Sequence, residues 1–181
     1  MQTRDNRQRY GLVTRALHWG MAFLIVWQFS GMISKVTLGR DHALTEALSA
    51  NHYQVGTSLF VLILIRLIWA FINREHRPRP PEGLLGYAAR LGHLGLYVLL
   101  LAVPSAALIR AWGSERAFAP FGFEIFAARA PDTGIKAATD IGANFHGELA
   151  WVLLVLILGH IVMALFHQFV LKDGLIKRMA G

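Results

Sequence analysis

The chain has 181 residues, 55% hydrophobic and only 16% charged, with a mean hydropathy of +0.44; this excludes an ordinary soluble domain and fits one compact membrane bundle. It has no cysteine, which excludes thiolate iron–sulfur clusters, cysteine zinc sites, covalent haem attachment and any disulfide. The net charge of +7 would favour nucleic acid in a soluble protein, but here the cations gather at the ends of apolar runs and report topology, so no nucleic-acid partner is expected.

The predicted fold class is all-α: an integral membrane four-helix bundle in one domain over residues 1–181. The first apolar run, about 12–33, is too long for a signal-peptide core and no small-x-small site follows it, so it reads as an uncleaved anchor. His18 lies near its start. The second run, about 52–72, opens on His52 and carries Arg66 fourteen residues later on the same face. Arg77-Pro-Arg-Pro-Pro81 reads as a stiff turn into the third run, about 84–109, which carries His93 near its start and Pro104 as a place for a kink. Residues 110–147 hold Phe118, Phe121, Phe123 and Phe126 among polar residues, and a short interfacial helix over the bundle mouth is expected there. The fourth run, about 148–171, has His146 at its start and His160 and His167 along it. Each run is long enough to cross about 30 Å of hydrocarbon and be solvated by membrane lipid.

Lys and Arg predict the orientation. Arg4, Arg7, Arg9, Arg15, Arg74, Arg77, Arg79, Arg90, Lys172, Lys177 and Arg178 fall on one side, and most acids on the other. Both termini are therefore expected in the cytoplasm.

Depth then sorts the histidines. Spans one and three run outward, and two and four return. His52 and His146 share the outer depth, and His18 and His160 the inner. His146 and His160 are fourteen residues apart, nearly four turns, so they share a face about 21 Å apart along the axis. Ionisable groups at membrane depth are costly and usually functional, and neutral imidazoles on facing helices are suitable axial ligands for haem iron. Gly20, Gly56, Gly159 and Ala164 leave room beside them. The competing reading is a set of structural or headgroup histidines. His93, at inner depth, and His167, on the face of His160, read as rival inner ligands, as contacts to a haem propionate or quinone, or as structural groups. Arg66 pairs with an inner propionate or snorkels to the headgroups. His42 and His76 read as solvated loop residues.

Leu17-His-Trp19, Asn51-His52 followed by Ile65-Arg-Leu67, Leu91-Gly-His-Leu-Gly-Leu-Tyr97, Phe145-His-Gly-Glu148, Gly159-His160 and Phe166-His167 before Leu171-Lys-Asp173 together span nearly the whole chain. In these the sequence resembles the bacterial cytochrome b561 family, including its superoxide oxidase. The resemblance implies a di-haem bundle in the bacterial inner membrane with two haem b groups, His18 and His160 ligating the inner and His52 and His146 the outer. It also implies electron transfer from superoxide to ubiquinone, with His167 as the quinone candidate. The alternative within the same chemistry is an electron-transfer subunit linking a redox protein partner, a dehydrogenase or hydrogenase, to the quinone pool. A third reading, a non-redox protein with metal-binding or structural histidines, ranks last because no acidic cluster at metal spacing lies inside the spans.

Overall fold

The structure, a computed structural model, describes residues 2–78 and 82–180. In chain order it runs α1 (Leu12–Thr37), the short α2 (Ala43–Ser49), α3 (His52–Ile72), α4 (Gly83–Gly113), α5 (Lys136–Phe166), a π-helical turn (His167–Leu171) and α6 (Leu175–Ala180). Four helices are long and apolar enough to cross a membrane: α1, α3 with α2 before it, α4, and α5 with its π turn. The shortest of the four, α3, has 21 residues, which spans about 31 Å and so just covers a bilayer core. Many large hydrophobics stay exposed, among them Phe23, Ile68, Val155 and Phe169. In lipid there is no penalty for this, and the helices associate instead through close backbone approach.

That approach is tightest between α4 and α5. A Cβ on Gly142 would lie 2.5 Å from the Ala106 carbonyl oxygen and 2.6 Å from Arg110 Cβ, and one on Gly113 would lie 2.7 Å from Ala138 Cβ. α1 packs on α2 through the same device: Gly31 lies against the Leu48 carbonyl, and the Ser34 and Thr45 hydroxyls share a hydrogen bond of 2.7 Å.

The N-terminal segment is folded back over one end of the bundle, and Asp5 holds it there. Its buried carboxylate accepts from the Gly11 N–H at 2.8 Å, the Thr14 hydroxyl at 2.7 Å and Arg77 Nε at 3.0 Å. Thr14 Oγ1 in turn accepts from Trp69 Nε1 at 2.9 Å, tying α1 to α3. Burial pushes the Tyr10 hydroxyl up from its ordinary value, with the nearby Arg77 cation opposing. The C-terminal helix α6 joins this end. The Arg178 carbonyl accepts from the Tyr10 N–H, the Ala180 carbonyl from Arg15, and the Met179 carbonyl from Trp19 Nε1. Both ends of the chain therefore meet at one end of the bundle.

The fourth helix begins at Lys136, before the apolar run expected from about 148. One expectation needs correction. The segment between α4 and α5 forms no interfacial helix: Phe118 and Phe126 pair as a β-bridge around a 3-10 turn, Pro120–Gly122. Pro120 withholds an N–H, and Phe121 and Gly122 take positive φ values of 57° and 83°, which a continuing helix does not allow. The stiff turn expected at Arg77–Pro81 lies partly outside the described residues, since 79–81 fall there. α4 runs unbroken through Pro104.

Gly142→Ala is expected to cost about 1–3 kcal/mol, the range for overpacking a close-packed contact, read as a lowered unfolding midpoint by circular dichroism in detergent. An unchanged midpoint would show that the seam can spread freely.

Candidate cofactor site

Two imidazole pairs bridge α5 to its neighbours. His52, the first residue of α3, faces His146 on α5 with ring centroids 6.0 Å apart and planes at 85°. His18 on α1 faces His160 on α5 with centroids 6.3 Å apart and planes at 72°. An iron bonded at about 2 Å to one nitrogen of each ring sets two imidazole centroids about 6 Å apart. Ordinary edge-to-face pairs occupy the same range. What sets these apart is that both pairs end on one face of α5, at opposite ends of the bundle.

The ring nitrogens carry further information. His146 Nδ1 lies 2.9 Å from the Val103 carbonyl oxygen, so it donates there and leaves Nε2 with the lone pair. A carbonyl on the far nitrogen is the usual way a ligating imidazole is oriented. His18 differs: Arg66 Nη1 lies 3.2 Å from its Nδ1. A guanidinium has no lone pair, so this nitrogen must accept. Space is available around the inner pair, since a Cβ built on Gly20, Gly92 or Gly159 meets no atom within 4 Å. Two facing imidazoles with open flanks fit a planar macrocycle bound through its metal.

The remaining sequence candidates separate. His93 on α4 sits with its ring 5.3 Å from that of His160, its Nδ1 donating to the Ala89 carbonyl at 2.6 Å. The ring of His18 lies 6.3 Å from that of His160, so His93 is the nearer of two imidazole neighbours of His160. Arg66 points inward, its Nε 3.4 Å from the Tyr97 hydroxyl, and does not reach away along the helix as snorkelling requires. His167 is not brought to the inner rings. It is buried in the π turn, where its Nδ1 lies 2.6 Å from Asp173 Oδ2. His42 caps α2 by accepting from the Leu44 N–H, and His76 is exposed in a turn.

Two side chains of the site stand in the segments quoted for the family resemblance, without a role assigned there. Tyr97 is one turn beyond His93 on α4, and that i, i+4 spacing puts both on one face. Asp173 is six residues past His167, a separation that no regular helix makes adjacent. The left-handed backbone at Lys172 brings it back.

The family model described as prokaryotic cytochrome b561 matches residues 9–181. Cytochrome b561 homolog 2 of Escherichia coli (strain K12) is 31% identical over 182 residues, covering 100% of this chain and 96% of that one. A cytochrome b562 of Cereibacter sphaeroides is 31% identical, covering 90% and 89%. A probable superoxide oxidase CybB of Yersinia pestis is 23% identical, covering 95% and 96%. The family match, with four helices able to cross a membrane, defines a membrane-bound electron-transfer protein of the cytochrome b class. The chain belongs to the prokaryotic cytochrome b561 family, and b-type haem is the cofactor this membership implies.

The Asp173 carboxyl is held below the usual carboxylate range, first by the hydrogen bond from His167 and then by the Leu175 N–H. Because the folded value is the lower one, this contact adds stability above the ordinary carboxylate pKa and loses it as pH falls through the folded value. Amide protection across residues 167–175, corrected for intrinsic exchange rates, is expected to hold at neutral pH and to drop in acid. Asp173→Asn should flatten that dependence, and a wild-type turn protected equally at all pH would contradict it.

Proposed function

We propose that this cytochrome oxidises superoxide at its outer face and reduces a membrane quinone, ubiquinone, at its inner side, using two b-type haems in a bacterial inner membrane. Both termini then lie in the cytoplasm. The observation that carries this reading is the pair of imidazole couples, His52–His146 and His18–His160, set at opposite ends of one helix. When bound, haem supplies one-electron redox chemistry. The balance is simple: two superoxide anions each lose one electron to give dioxygen, and the quinone takes up two electrons and two protons.

The protein's part is to hold, orient and exclude. His52 and His146 would hold the haem iron through both imidazoles, leaving superoxide only outer-sphere exchange with the group they hold. Lys35, Arg40, Arg110, Arg116 and Arg129 on the outer segments share that side with Asp41, Glu46, Glu115, Glu124, Asp132, Asp140 and Glu148, so an anion would meet local cations there and not a net positive field. Lys136 contributes less, being paired with Asp140 at 2.5 Å. The similarity to a probable superoxide oxidase favours the substrate. At the other end His167, backed by the half-exposed Asp173, joins a buried position to water and can pass a proton to a quinone. His93 supports the inner pair at its edge. One observation favours a second reading, an electron-transfer subunit for a partner dehydrogenase or hydrogenase: Phe121 and Phe123 are 63% and 77% exposed on the outer loop, where a partner can dock.

His52→Ala or His146→Ala should lose one haem, and His18→Ala or His160→Ala the other, lowering the pyridine haemochrome count from two per chain to one. Superoxide should reduce the wild-type protein, and ubiquinone should reoxidise it. Two haems inert to superoxide would support the subunit reading. If His160→Ala keeps two low-spin haems while His167→Ala loses one, the inner assignment is wrong.

A further inference from the structure

Arg66 is a cation within a membrane span, and none of the salt bridges among the described residues includes it. A charge at that depth needs a partner. Its two neighbours are neutral: the Tyr97 hydroxyl, 3.4 Å from Nε, and His18 Nδ1, 3.2 Å from Nη1. Its position is set by α3, fourteen residues after His52, which carries it about 21 Å toward the inner pair.

The contact with His18 conflicts with iron ligation. An imidazole that gives Nε2 to a metal carries its proton on Nδ1 and donates from there. Arg66 Nη1 is also a donor, so two N–H groups would face each other. His18 cannot serve as ligand and as acceptor for Arg66 at once. Turned from His18, the guanidinium presents its planar fork of N–H donors, and the Tyr97 hydroxyl, accepting from Arg66, still has its own proton to give. Guanidinium and phenol side by side form a donor set for a carboxylate. The group that the inner pair would hold carries two carboxylates on its rim.

We infer that Arg66 and Tyr97 together bind a carboxylate of the inner haem, and that loading trades the Arg66–His18 contact for this one. The inference rests on His18 and His160 being the inner ligands. A lipid phosphate satisfies the same donors, so the test must separate the two sources.

The test uses the full-length holoprotein, with Arg66→Gln, Arg66→Lys and Tyr97→Phe beside the wild type. Resonance Raman reports the propionate bending band, and transfer to apomyoglobin reports haem loss. Arg66→Gln and Tyr97→Phe are each expected to shift the band of one haem and to speed its loss about tenfold, the loss of one charge-assisted hydrogen bond. The other haem should be unaffected, and Arg66→Lys should restore part of the retention. Arg66→Gln purified with the outer haem alone would support the inference as well. Tyr97→Phe keeps charge and ring, so it reads the contact even if Arg66 variants assemble poorly. Two haems with unchanged bands and loss rates in both variants would overturn the inference and leave the ligand assignment standing. A band that moves on lipid extraction and with neither substitution would assign Arg66 to a lipid phosphate. A wild type lacking an inner haem would overturn both the inference and the reading beneath it.

Discussion

The contact of Gly142 with the Ala106 carbonyl, too close for any side chain, fixes the register of α5 on α4. One turn further along the same face, His146 gives its Nδ1 proton to the Val103 carbonyl of α4. The outer ring is thus aimed by the helix behind it, while α3 supplies the ring in front. Fourteen residues on, the same face brings His160 to His18 of α1. A larger residue at 142 would therefore act twice, by separating the helices and by misdirecting both couples. In a membrane this is the economical arrangement. Apolar surface gives little drive for helix association in lipid, so close backbone contact and a few polar bonds must set the geometry.

The spans were legible because one length scale governs them: hydrocarbon thickness fixes how many apolar residues a crossing needs. α3 begins and ends where the sequence places it. Depth along those spans was enough to group His52 with His146 and His18 with His160, since residue number maps onto height at a constant rise. The start of α5 was hidden because hydropathy marks where a helix leaves hydrocarbon, not where it ends. Lys136, Asp140 and Asn144 break the apolar run, yet Ala137, Ala138 and Ala143 continue the helix. The Asp5–Arg77 contact joins residues 72 apart and follows from no local pattern. Arg66 was legible as an oddity, a charge in an apolar run. Its partner Tyr97 was not, because a tyrosine in a span is ordinary until the neighbouring helix is placed.

The end that carries both termini is the more elaborate of the two. Asp5, Thr14, Trp69 and Arg77 form one hydrogen-bonded chain across α1, α3 and the segment after it, and the C-terminal helix closes over the same end. A buried carboxylate is tolerated there because three donors satisfy it. The other end is hydrogen-bonded as well, from the Ile135 N–H to the Gly113 carbonyl and from Arg129 Nε to the Trp112 carbonyl, and adds aromatic packing, with Phe118 6.0 Å from Tyr53 and 6.1 Å from Phe126.

On the reading proposed above, this asymmetry also bears on the direction of electron flow. The outer ring of His146 gives its proton to a carbonyl, which makes the imidazole a stronger donor and favours an oxidised metal beside it. The inner ring of His18 has a guanidinium for its neighbour, and a nearby positive charge favours the reduced state. A carboxylate bound to Arg66 would neutralise that charge and draw the fork away from His18. Only the His146 effect would remain in the loaded protein, and it would lower the outer site relative to the inner, favouring the electron toward the end where His167 and Asp173 lie. On that reading the Val103 carbonyl behind His146 would set a slope across the bundle before any substrate or partner is considered.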